Sequence, residues 1–271
     1  MQVPLQGQNP LDLAVASRDS KVIDTVRAAI RHRQVLLAFQ PVVQARQPAS
    51  TAFYEGLIRV MDETGRIVPA RDFMSHIEET EYGRILDCIA LEKGLEELMA
   101  EPGLRLAVNM SARSIGYPRW SEVLRAGLSA DPTLGERLIL EITEASAMLV
   151  PELVIGFMTE LQRQGISFAM DDFGAGYTAL RHFKQFHFDI LKIDGQFIRD
   201  IAQDPDNQVM TRAIISIAEQ FDLFTIAESV ERAEDAQFLT KIGIDCLQGY
   251  FFGAPTISPA WRDGSIGRAS A

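Results

Sequence analysis

Two adjacent aspartates, Asp171 and Asp172, occupy the position in this sequence that most strongly suggests chemistry. They follow the short apolar run 166–170, which is bounded by Gly165 and is typical of a buried strand leading into a turn. The carboxyl end of such a strand is where α/β proteins collect ligands and catalytic groups. The pair is therefore a candidate site, although capping of the next helix by one aspartate would explain it equally well.

Further polar residues interrupt other short apolar runs in the same way. One polar position or pair falls within or near the end of each predicted strand: Gln40, Glu55, Asn109, Glu141, Asp171 with Asp172, Lys192, Glu228 and Gln248. Burying one polar group without a partner costs roughly 1–3 kcal/mol, so a whole ring of them is not placed for stability. We therefore expect these side chains to line one common site.

The charges of this ring indicate what it binds. Carboxylates dominate it: Glu55, Glu141, Glu144, Asp171, Asp172, Glu228 and Glu231 stand against Arg59 and Lys192. Close carboxylates raise one another's pKa unless a cation lies between them. One or two hard divalent cations would resolve the repulsion, and oxygen ligands without cysteine or histidine select Mg²⁺ or Mn²⁺. Such ions activate water and clamp phosphoryl oxygens, which favours phosphoester hydrolysis.

Four residues of the ring then remain for substrate and proton transfer. Lys192 could orient the attacking water or stabilise developing negative charge. Glu228, on a neighbouring strand, is placed to accept the proton of that water. Arg59 and Gln40 remain for a phosphate and for a base edge.

A second reaction class fits the same residues. Carboxylates on successive barrel strands, together with a strand-end lysine, also describe metal-assisted proton abstraction next to a carboxylate, as in enolase-type barrels. The number of metal ions separates the two, because that chemistry usually places one metal on three acids. Here Asp171 and Asp172, with Glu228 and Glu231, supply enough ligands for two.

The elements that must position the ring alternate along the chain. Strands are predicted at 36–43, 52–60, 105–110, 138–143, 167–172, 189–194, 224–230 and 246–252. Helices are predicted at 21–33, 85–99, 119–128, 151–164, 177–185, 208–221 and 233–242. This alternation favours an α/β fold of the TIM-like (β/α)8 barrel type over an open doubly wound sheet. The first two strands lie too close in sequence for a crossover helix, so we expect the first strand to be antiparallel.

Length and composition limit the class of protein. The 271 residues predict one barrel at 21–262, with an N-terminal tail or linker at 1–20 and a C-terminal tail at 263–271. No apolar run is long enough to span a membrane and no secretory signal is recognisable, so the expected location is the cytoplasm. The net charge of −11 argues against binding to duplex nucleic acid. Cys88 and Cys246 fit neither a disulfide framework nor a zinc site.

Eight ordered segments between about residues 35 and 255 carry a resemblance to a known family. They are Phe39-Gln40-Pro41, Glu55-Gly56-Leu57-Ile58-Arg59, Asn109-Met110-Ser111, Glu141-Ile142-Thr143-Glu144, Asp171-Asp172-Phe173-Gly174-Ala175-Gly176-Tyr177, Leu191-Lys192-Ile193-Asp194, Ala227-Glu228-Ser229-Val230-Glu231 and Gln248-Gly249-Tyr250-Phe251-Phe252. Together they resemble the EAL-domain phosphodiesterases, which linearise cyclic di-GMP. The resemblance implies cyclic di-GMP as substrate, linear pGpG as product, and a homodimer whose interface lies near residues 171–174.

The resemblance also implies a role for each matched residue. The ligands of two Mg²⁺ or Mn²⁺ ions would be Glu55, Asn109, Glu141, Asp171, Asp172 and Glu231. Asp171 would bridge the two ions, Lys192 would contact the attacking water, and Glu228 would be the general base. The residues in contact with substrate would be Gln40, Leu57, Arg59 and Gln248, the last of which also completes the water shell. Glu144 would anchor the loop that follows Asp172.

Some relatives in this family bind the dinucleotide without cleaving it and act as receptors, and others serve as partner-binding scaffolds. Those usually lack one of the acids or the lysine, whereas this chain retains them all, which favours catalysis. The segment 1–20 fits a linker from an upstream sensory or cyclase domain and fits a free-standing enzyme equally well, and a regulatory protein is a further candidate partner.

Three positions depart from the pattern of the family. Gly56 replaces the usual alanine, Val60 replaces the usual tryptophan, and Ser229 replaces the usual glycine. Gly56 loosens a strand next to a predicted metal ligand. Ser229 lacks the backbone freedom of glycine, which we expect to shift Glu228 and Glu231 slightly.

Overall fold

The computed structural model describes residues 10–176 and 184–263. The strands are β1 (Val35–Gln44), β2 (Gln47–Met61), β3 (Ile67–Pro69), β4 (Leu106–Asn109), β5 (Leu138–Thr143), β6 (Ser167–Phe173), β7 (Ile190–Ile193), β8 (Phe224–Ala227) and β9 (Cys246–Gln248). The described helices are α1 (Pro10–Arg31), α2 (Met74–Ile77), α3 (Glu81–Ala100), α4 (Pro118–Ala130), α5 (Glu144–Leu149), α6 (Pro151–Gln162), α7 (Gly195–Ile198), α8 (Pro205–Gln220) and α9 (Ala233–Ile242).

Eight of these strands close into a barrel. Their order is β1-β9-β8-β7-β6-β5-β4-β2, and β2 pairs back onto β1. Strand β1 runs antiparallel to both of its neighbours, β2 and β9. The other seven strands of the barrel, which are β2 and β4 to β9, run parallel to one another. The predicted TIM-like (β/α)8 barrel with an antiparallel first strand is thus confirmed. Only Ala45 and Arg46 separate β1 from β2, so no crossover connection is possible there. Strand β3 pairs with β2 outside the barrel.

The interior of the barrel explains why its strands are such continuous apolar runs. Residues that point outward, such as Leu140 and Phe168, pack in a large core between the sheet and the helices. Residues that point inward form a separate, smaller cluster: Val42, Phe53, Ala107, Ile139, Ala169, Ile190 and Ile226. Both faces of the strands are therefore buried, as expected for a parallel sheet covered by helices.

Two predicted strands end earlier than expected. The predicted strand at 224–230 stops at Ala227 and that at 246–252 stops at Gln248. Ser229 has a positive φ of 56°, which takes the chain out of the extended conformation. The backbone of Gly249 lies so close to Val230 that any side chain there would overlap it. Both strands therefore end where these two turns cross.

The helices also differ in part from those predicted. α9 agrees at both ends with the predicted helix, while α1 begins at Pro10 rather than at 21 and so enters the segment predicted as a tail. Helices α2, α5 and α7 were not predicted, because each is too short to show a helical period. Most of the predicted helix at 177–185, and residues 1–9 and 264–271 of the predicted tails, lie outside the described residues. None of the described helices is long and apolar enough to cross a membrane.

Candidate active site

The polar ring lies one step above the apolar cluster inside the barrel. Side chains two residues apart on a strand point to the same face, so each inward apolar residue has an inward neighbour about 6.6 Å along its strand. This step joins Phe53 to Glu55, Ala107 to Asn109, Ile139 to Glu141, Ala169 to Asp171, Ile190 to Lys192, Ile226 to Glu228, and Cys246 to Gln248. On the reversed β1 the step runs backwards, from Val42 to Gln40. All eight polar residues therefore meet at one end of the barrel.

Lys192 occupies the centre of this ring. Its side chain is fully buried, and its Nζ lies 2.8 Å from Glu141 Oε2 and 2.8 Å from Glu228 Oε1. The same Nζ is 3.0 Å from Asp171 Oδ1 and 3.3 Å from Glu55 Oε2. One ammonium thus contacts carboxylates from β2, β5 and β6 and from the residue that follows β8, which leaves an excess of negative charge if all four are ionised.

Side-chain amides hold the Glu55 side of the ring. Glu55 accepts hydrogen bonds from Gln248 Nε2 at 2.6 Å and from Asn109 Nδ2 at 2.7 Å. Gln248 Nε2 also donates to Gln40 Oε1 at 3.3 Å, and Gln40 Nε2 donates to the carbonyl oxygen of Gly253 at 3.0 Å. Because the amide nitrogen of Asn109 is used as a donor, its amide oxygen is the atom that can ligate a cation.

These contacts determine which group of the ring keeps its charge. Burial alone would raise the pKa of Glu55, but the charge of Lys192 and the hydrogen bonds from Gln248 and Asn109 hold that pKa below its usual value of 4.5. Burial alone would lower the pKa of Lys192, but the surrounding carboxylates raise it well above its usual value of 10.5. Lys192 and Glu55 are therefore both ionised at neutral pH.

The other carboxylates are harder to ionise. Burial, followed by the charge of Glu55, raises the pKa of Glu141 well above its usual value. Burial does the same for Glu228, against the opposing effect of Lys192. Burial and the adjacent charge of Asp171 raise the pKa of Asp172 to about 6. The ring therefore has more carboxylates than Lys192 can hold ionised, which is the condition that a bound cation relieves.

The donor atoms fit a divalent cation of the hard type. Glu141 Oε1 is buried and accepts no hydrogen bond, and Asp171 Oδ1 has only its ion pair with Lys192 Nζ at 3.0 Å, so each keeps a lone pair available. Asp171, Asp172 and Glu228 each offer a carboxylate oxygen, and these atoms lie within 4.8 Å of one another. Oxygen-only donors are what Mg²⁺ and Mn²⁺ prefer. Glu231 lies exposed at the edge of the cavity, outside this group, so its role as a ligand stays a prediction.

The turn after β6 is fixed from two sides. Asp172 and Gly174 both have positive φ values, 54° and 92°. The backbone nitrogen of Gly174 donates to Glu144 Oε2 at 2.9 Å, which is the contact expected of the residue that anchors this loop. The backbone oxygen of Gly174 accepts from Gln196 Nε2 at 3.0 Å, and any side chain at Gly174 would press against the Phe197 ring. Gln196, on α7, is a contributor that the sequence did not indicate.

A cavity of about 470 Å³ opens above the ring. The predicted substrate residues Gln40, Leu57, Arg59 and Gln248 all line it. So do three residues that the sequence did not single out as site residues, which are Arg71, Arg199 and Tyr250. A second cavity of about 420 Å³ shares Glu55, Leu57, Ala70, Arg71, Asp171 and Asp172 with the first. The two cavities therefore adjoin along the acidic residues.

Comparison with known proteins bears on what this site does. A sequence profile of the EAL domain matches residues 23–255. The cyclic di-GMP phosphodiesterase PdeR of Escherichia coli (strain K12) is 32% identical over 252 residues, which cover 89% of this chain and 37% of PdeR. The bifunctional diguanylate cyclase/cyclic di-GMP phosphodiesterase MucR of Pseudomonas aeruginosa is 29% identical over 249 residues, covering 89% of this chain and 36% of MucR. The chain thus spans little more than a third of the length of these relatives.

Solved structures resemble the barrel over most of its length. The PaMucR phosphodiesterase in complex with c-di-GMP superimposes with a TM-score of 0.77 at 29% identity, covering 89% of this chain and 99% of that chain. The FimX EAL domain from Pseudomonas aeruginosa bound to c-di-GMP gives a TM-score of 0.79 at 24% identity, covering 88% of this chain and 97% of that chain. The second likeness shows the fold alone.

Proposed function

The chain belongs to the EAL domain family, and from that premise we propose that it is a cyclic di-GMP-specific phosphodiesterase. The proposed reaction is hydrolysis of one phosphodiester to linear pGpG with Mg²⁺ or Mn²⁺. One observation carries this proposal: a buried lysine contacts four carboxylates on the floor of an open cavity. The relatives PdeR and MucR are named as cyclic di-GMP phosphodiesterases, MucR as a bifunctional one, which favours this reaction over enolase-type proton abstraction.

The shape and lining of the cavity fit a cyclic dinucleotide. Two adjoining cavities offer space on either side of Asp171 and Asp172. Arg59 can face a phosphate, Gln40 can pair with a base edge, and Leu57 offers apolar surface to a base or ribose. The substrate would thus place one phosphodiester over the acidic floor.

The metal ligands would be drawn from the acidic floor. Glu55, Asn109, Glu141 and Asp171 would hold one ion, and Asp171 would share a second ion with Asp172, with Glu228 near it, while Glu231 would act from the edge of the cavity. When bound, such ions lower the pKa of water and neutralise the phosphoryl oxygens. The unpartnered buried oxygen Oε1 of Glu141 and three close carboxylates support this assignment.

Lys192 and Glu228 would carry the proton and charge transfers. Water attacks phosphorus and passes one proton to Glu228. The bond from phosphorus to the 3′ oxygen then breaks, and this oxygen takes a proton from solvent to become the 3′-hydroxyl, while the phosphate stays on the 5′ oxygen. Glu228 then releases its proton to solvent. Glu228 suits the role of base because burial raises its pKa, and Lys192 Nζ, at 2.8 Å, keeps its carboxylate in place. The ammonium of Lys192 also stabilises the negative charge that develops on the phosphoryl group.

A direct assay tests the proposal. Purified protein with Mg²⁺ and cyclic di-GMP should yield pGpG, measured by ion-pair chromatography, and Glu55→Ala or Glu228→Ala should abolish its formation. The variant Glu219→Ala, at an exposed acid of α8 that does not line the cavity, is the matched control and should retain activity. Binding without turnover in Mg²⁺ and in Mn²⁺ would identify a receptor instead, and absence of binding would identify a partner-binding scaffold.

The remaining expectations follow from the family and have separate tests. We propose that the protein is a cytoplasmic homodimer whose contact lies near the turn at residues 171–174, and that a sensory or cyclase domain or a regulatory protein acts on it. Sedimentation velocity on the purified chain tests the dimer. A monomer at concentrations that support full activity would contradict it.

A further inference from the structure

The floor and the rim of the larger cavity carry opposite charges. The floor consists of the carboxylates around Lys192, and the rim carries the three arginines Arg59, Arg71 and Arg199. Arg59 is already assigned to the substrate, and Arg71 Nε lies 3.7 Å from Asp72 Oδ1. Arg199 is therefore the cation of the rim that has no role in the proposed reaction as described so far.

Arg199 lacks the partner that its neighbourhood could easily provide. Within 10–176 and 184–263, no carboxylate forms an ion pair with Arg199, although the chain carries a net charge of −11. Arg232, by contrast, forms two ion pairs, since its guanidinium lies 2.8 Å from Asp200 Oδ1 and 3.6 Å from Glu234 Oε2. An exposed guanidinium left without a carboxylate at the edge of a ligand cavity is suited to an anion of the ligand.

The contact that Arg199 does make fixes its position. Arg199 Nη2 donates to Ser229 Oγ at 3.3 Å, and both residues line the cavity. A side chain at Gly195 would overlap Ser229, so α7 can approach the turn after β8 only because residue 195 is a glycine. Ser229 itself has a φ of 56°, a conformation that disfavours residues with a Cβ atom. A serine thus stands in a backbone conformation suited to glycine, and its hydroxyl holds the arginine.

We propose that Arg199, held by Ser229, binds the phosphate of the cyclic dinucleotide that is not cleaved. The inference rests on the proposed function of the site. A cyclic dinucleotide carries two phosphates, and the one that reacts must lie on the acidic floor beside Glu228 and Lys192. The second phosphate then needs a cation away from the floor. Arg199 is an exposed cation on the rim. It contacts Ser229, the residue directly after Glu228.

The kinetics of Arg199→Gln test the assignment. Contact with a phosphate that does not react stabilises ground state and transition state equally, so KM for cyclic di-GMP should rise about tenfold with kcat within about twofold. Bis(p-nitrophenyl) phosphate, which has a single phosphate, should show less than about a twofold change as substrate or, if it is not cleaved, as competitive inhibitor. Arg232→Gln, which removes an arginine that does not line the cavity, is the matched control and should leave KM unchanged.

A second variant separates positioning from folding. Ser229→Gly relieves the left-handed conformation, so the melting temperature should rise, while loss of the hydroxyl frees Arg199 and should raise KM about threefold. A purely structural role for Ser229 predicts the opposite, a KM that is unchanged or lower. Arg199→Lys, which keeps the charge, should recover part of the loss.

Several results would overturn the inference. An unchanged KM in Arg199→Gln would do so, and so would equal losses on both substrates, because these would place Arg199 on the reacting phosphate. The dissociation constant for cyclic di-GMP is measured in parallel. If wild-type protein binds without hydrolysis, the proposed function fails, yet a tenfold weaker binding by Arg199→Gln still supports the inference. If wild-type protein does not bind cyclic di-GMP, both fail.

Discussion

Two layers of side chains inside the barrel come from the same strands but have different roles, one in stability and the other in chemistry. The lower layer consists of Val42, Phe53, Ala107, Ile139, Ala169, Ile190 and Ile226, and its burial stabilises the fold. The upper layer consists of Gln40, Glu55, Asn109, Glu141, Asp171, Lys192, Glu228 and Gln248, and it holds more buried carboxylates than its one ammonium can neutralise. A step of two residues separates the layers. Stability and chemistry can therefore be altered separately on one strand.

Strand β8 and the residue that follows it allow the sharpest comparison, because Ile226 and Glu228 represent the two layers. Glu228→Gln should lower kcat for cyclic di-GMP by a factor of about 10²–10⁴, the usual contribution of a general base. Its melting temperature should not fall, since burial raises the pKa of Glu228 and ionising it in the folded protein is unfavourable. Activity assays and thermal denaturation of the same preparation provide both numbers. A destabilised variant with full kcat would reverse the comparison.

Ile226→Ala should show the complementary behaviour. Removing a buried side chain from the lower layer should lower the free energy of unfolding by about 2–5 kcal/mol, because a cavity remains in the barrel. The fraction that stays folded should keep kcat within a few-fold of wild type. Urea unfolding followed by fluorescence measures the change, and Ile226→Val is the milder control, with an expected loss of about 0.5–1.5 kcal/mol. If Ile226→Val already abolished turnover, the two layers would not be separable.

Divalent cations should stabilise the protein through the upper layer alone. Mg²⁺ or Mn²⁺ at about one hundred times its dissociation constant should raise the free energy of unfolding by about 2.7 kcal/mol, since only the folded ring binds it. Asp171→Asn removes a close carboxylate and should abolish most of this shift, whereas Ile226→Val should keep it. Thermal denaturation with and without metal gives the result. An equal shift in Asp171→Asn would place the metal elsewhere.

Asp87, a buried carboxylate outside both layers, tests whether burial also makes ionisation unfavourable away from the polar ring. Asp87 on α3 accepts hydrogen bonds from Ser111 N and Ser114 Oγ, and burial still raises its pKa from 3.8 to about 6. Between those two values the folded protein holds a proton that the unfolded chain has lost, so the contribution of Asp87 to stability falls as pH rises through that window.

Asp87→Asn lacks this titration and keeps an acceptor oxygen. Relative to wild type, its free energy of unfolding should therefore gain about 1–3 kcal/mol between pH 4 and pH 7. Urea unfolding across that range measures the difference, and Asp24→Asn, at an exposed position of α1, is measured beside it as the control. A difference that is independent of pH would show that Asp87 is not protonated in the folded protein.

The sequence was sufficient for the layers but not for the rim. The step from an apolar to a polar residue repeats on every barrel strand, so the floor could be predicted from Glu55, Asp171 and their counterparts. β5 was predicted at both ends because Arg137 precedes its apolar run and α5 begins directly after it at Glu144. Local patterns carry no information on contacts between distant loops. The cavity is also lined by Arg71, Arg199 and Tyr250, which lie in separate loops and short helices where the sequence has no periodic pattern. The chain leaves the extended conformation after β8 at Ser229, whose positive φ is unusual for serine.

The isotope content of the product tests the central claim most directly. Wild-type protein is incubated with cyclic di-GMP and Mg²⁺ in water enriched in ¹⁸O, and the dinucleotide product is analysed by mass spectrometry. If water attacks phosphorus at the acidic floor, the pGpG formed should carry one ¹⁸O atom, located on its 5′-phosphate, and a chelator should prevent its formation. Intact cyclic di-GMP in the presence of Mg²⁺ and Mn²⁺, or ¹⁸O on the 3′-hydroxyl, would contradict the account.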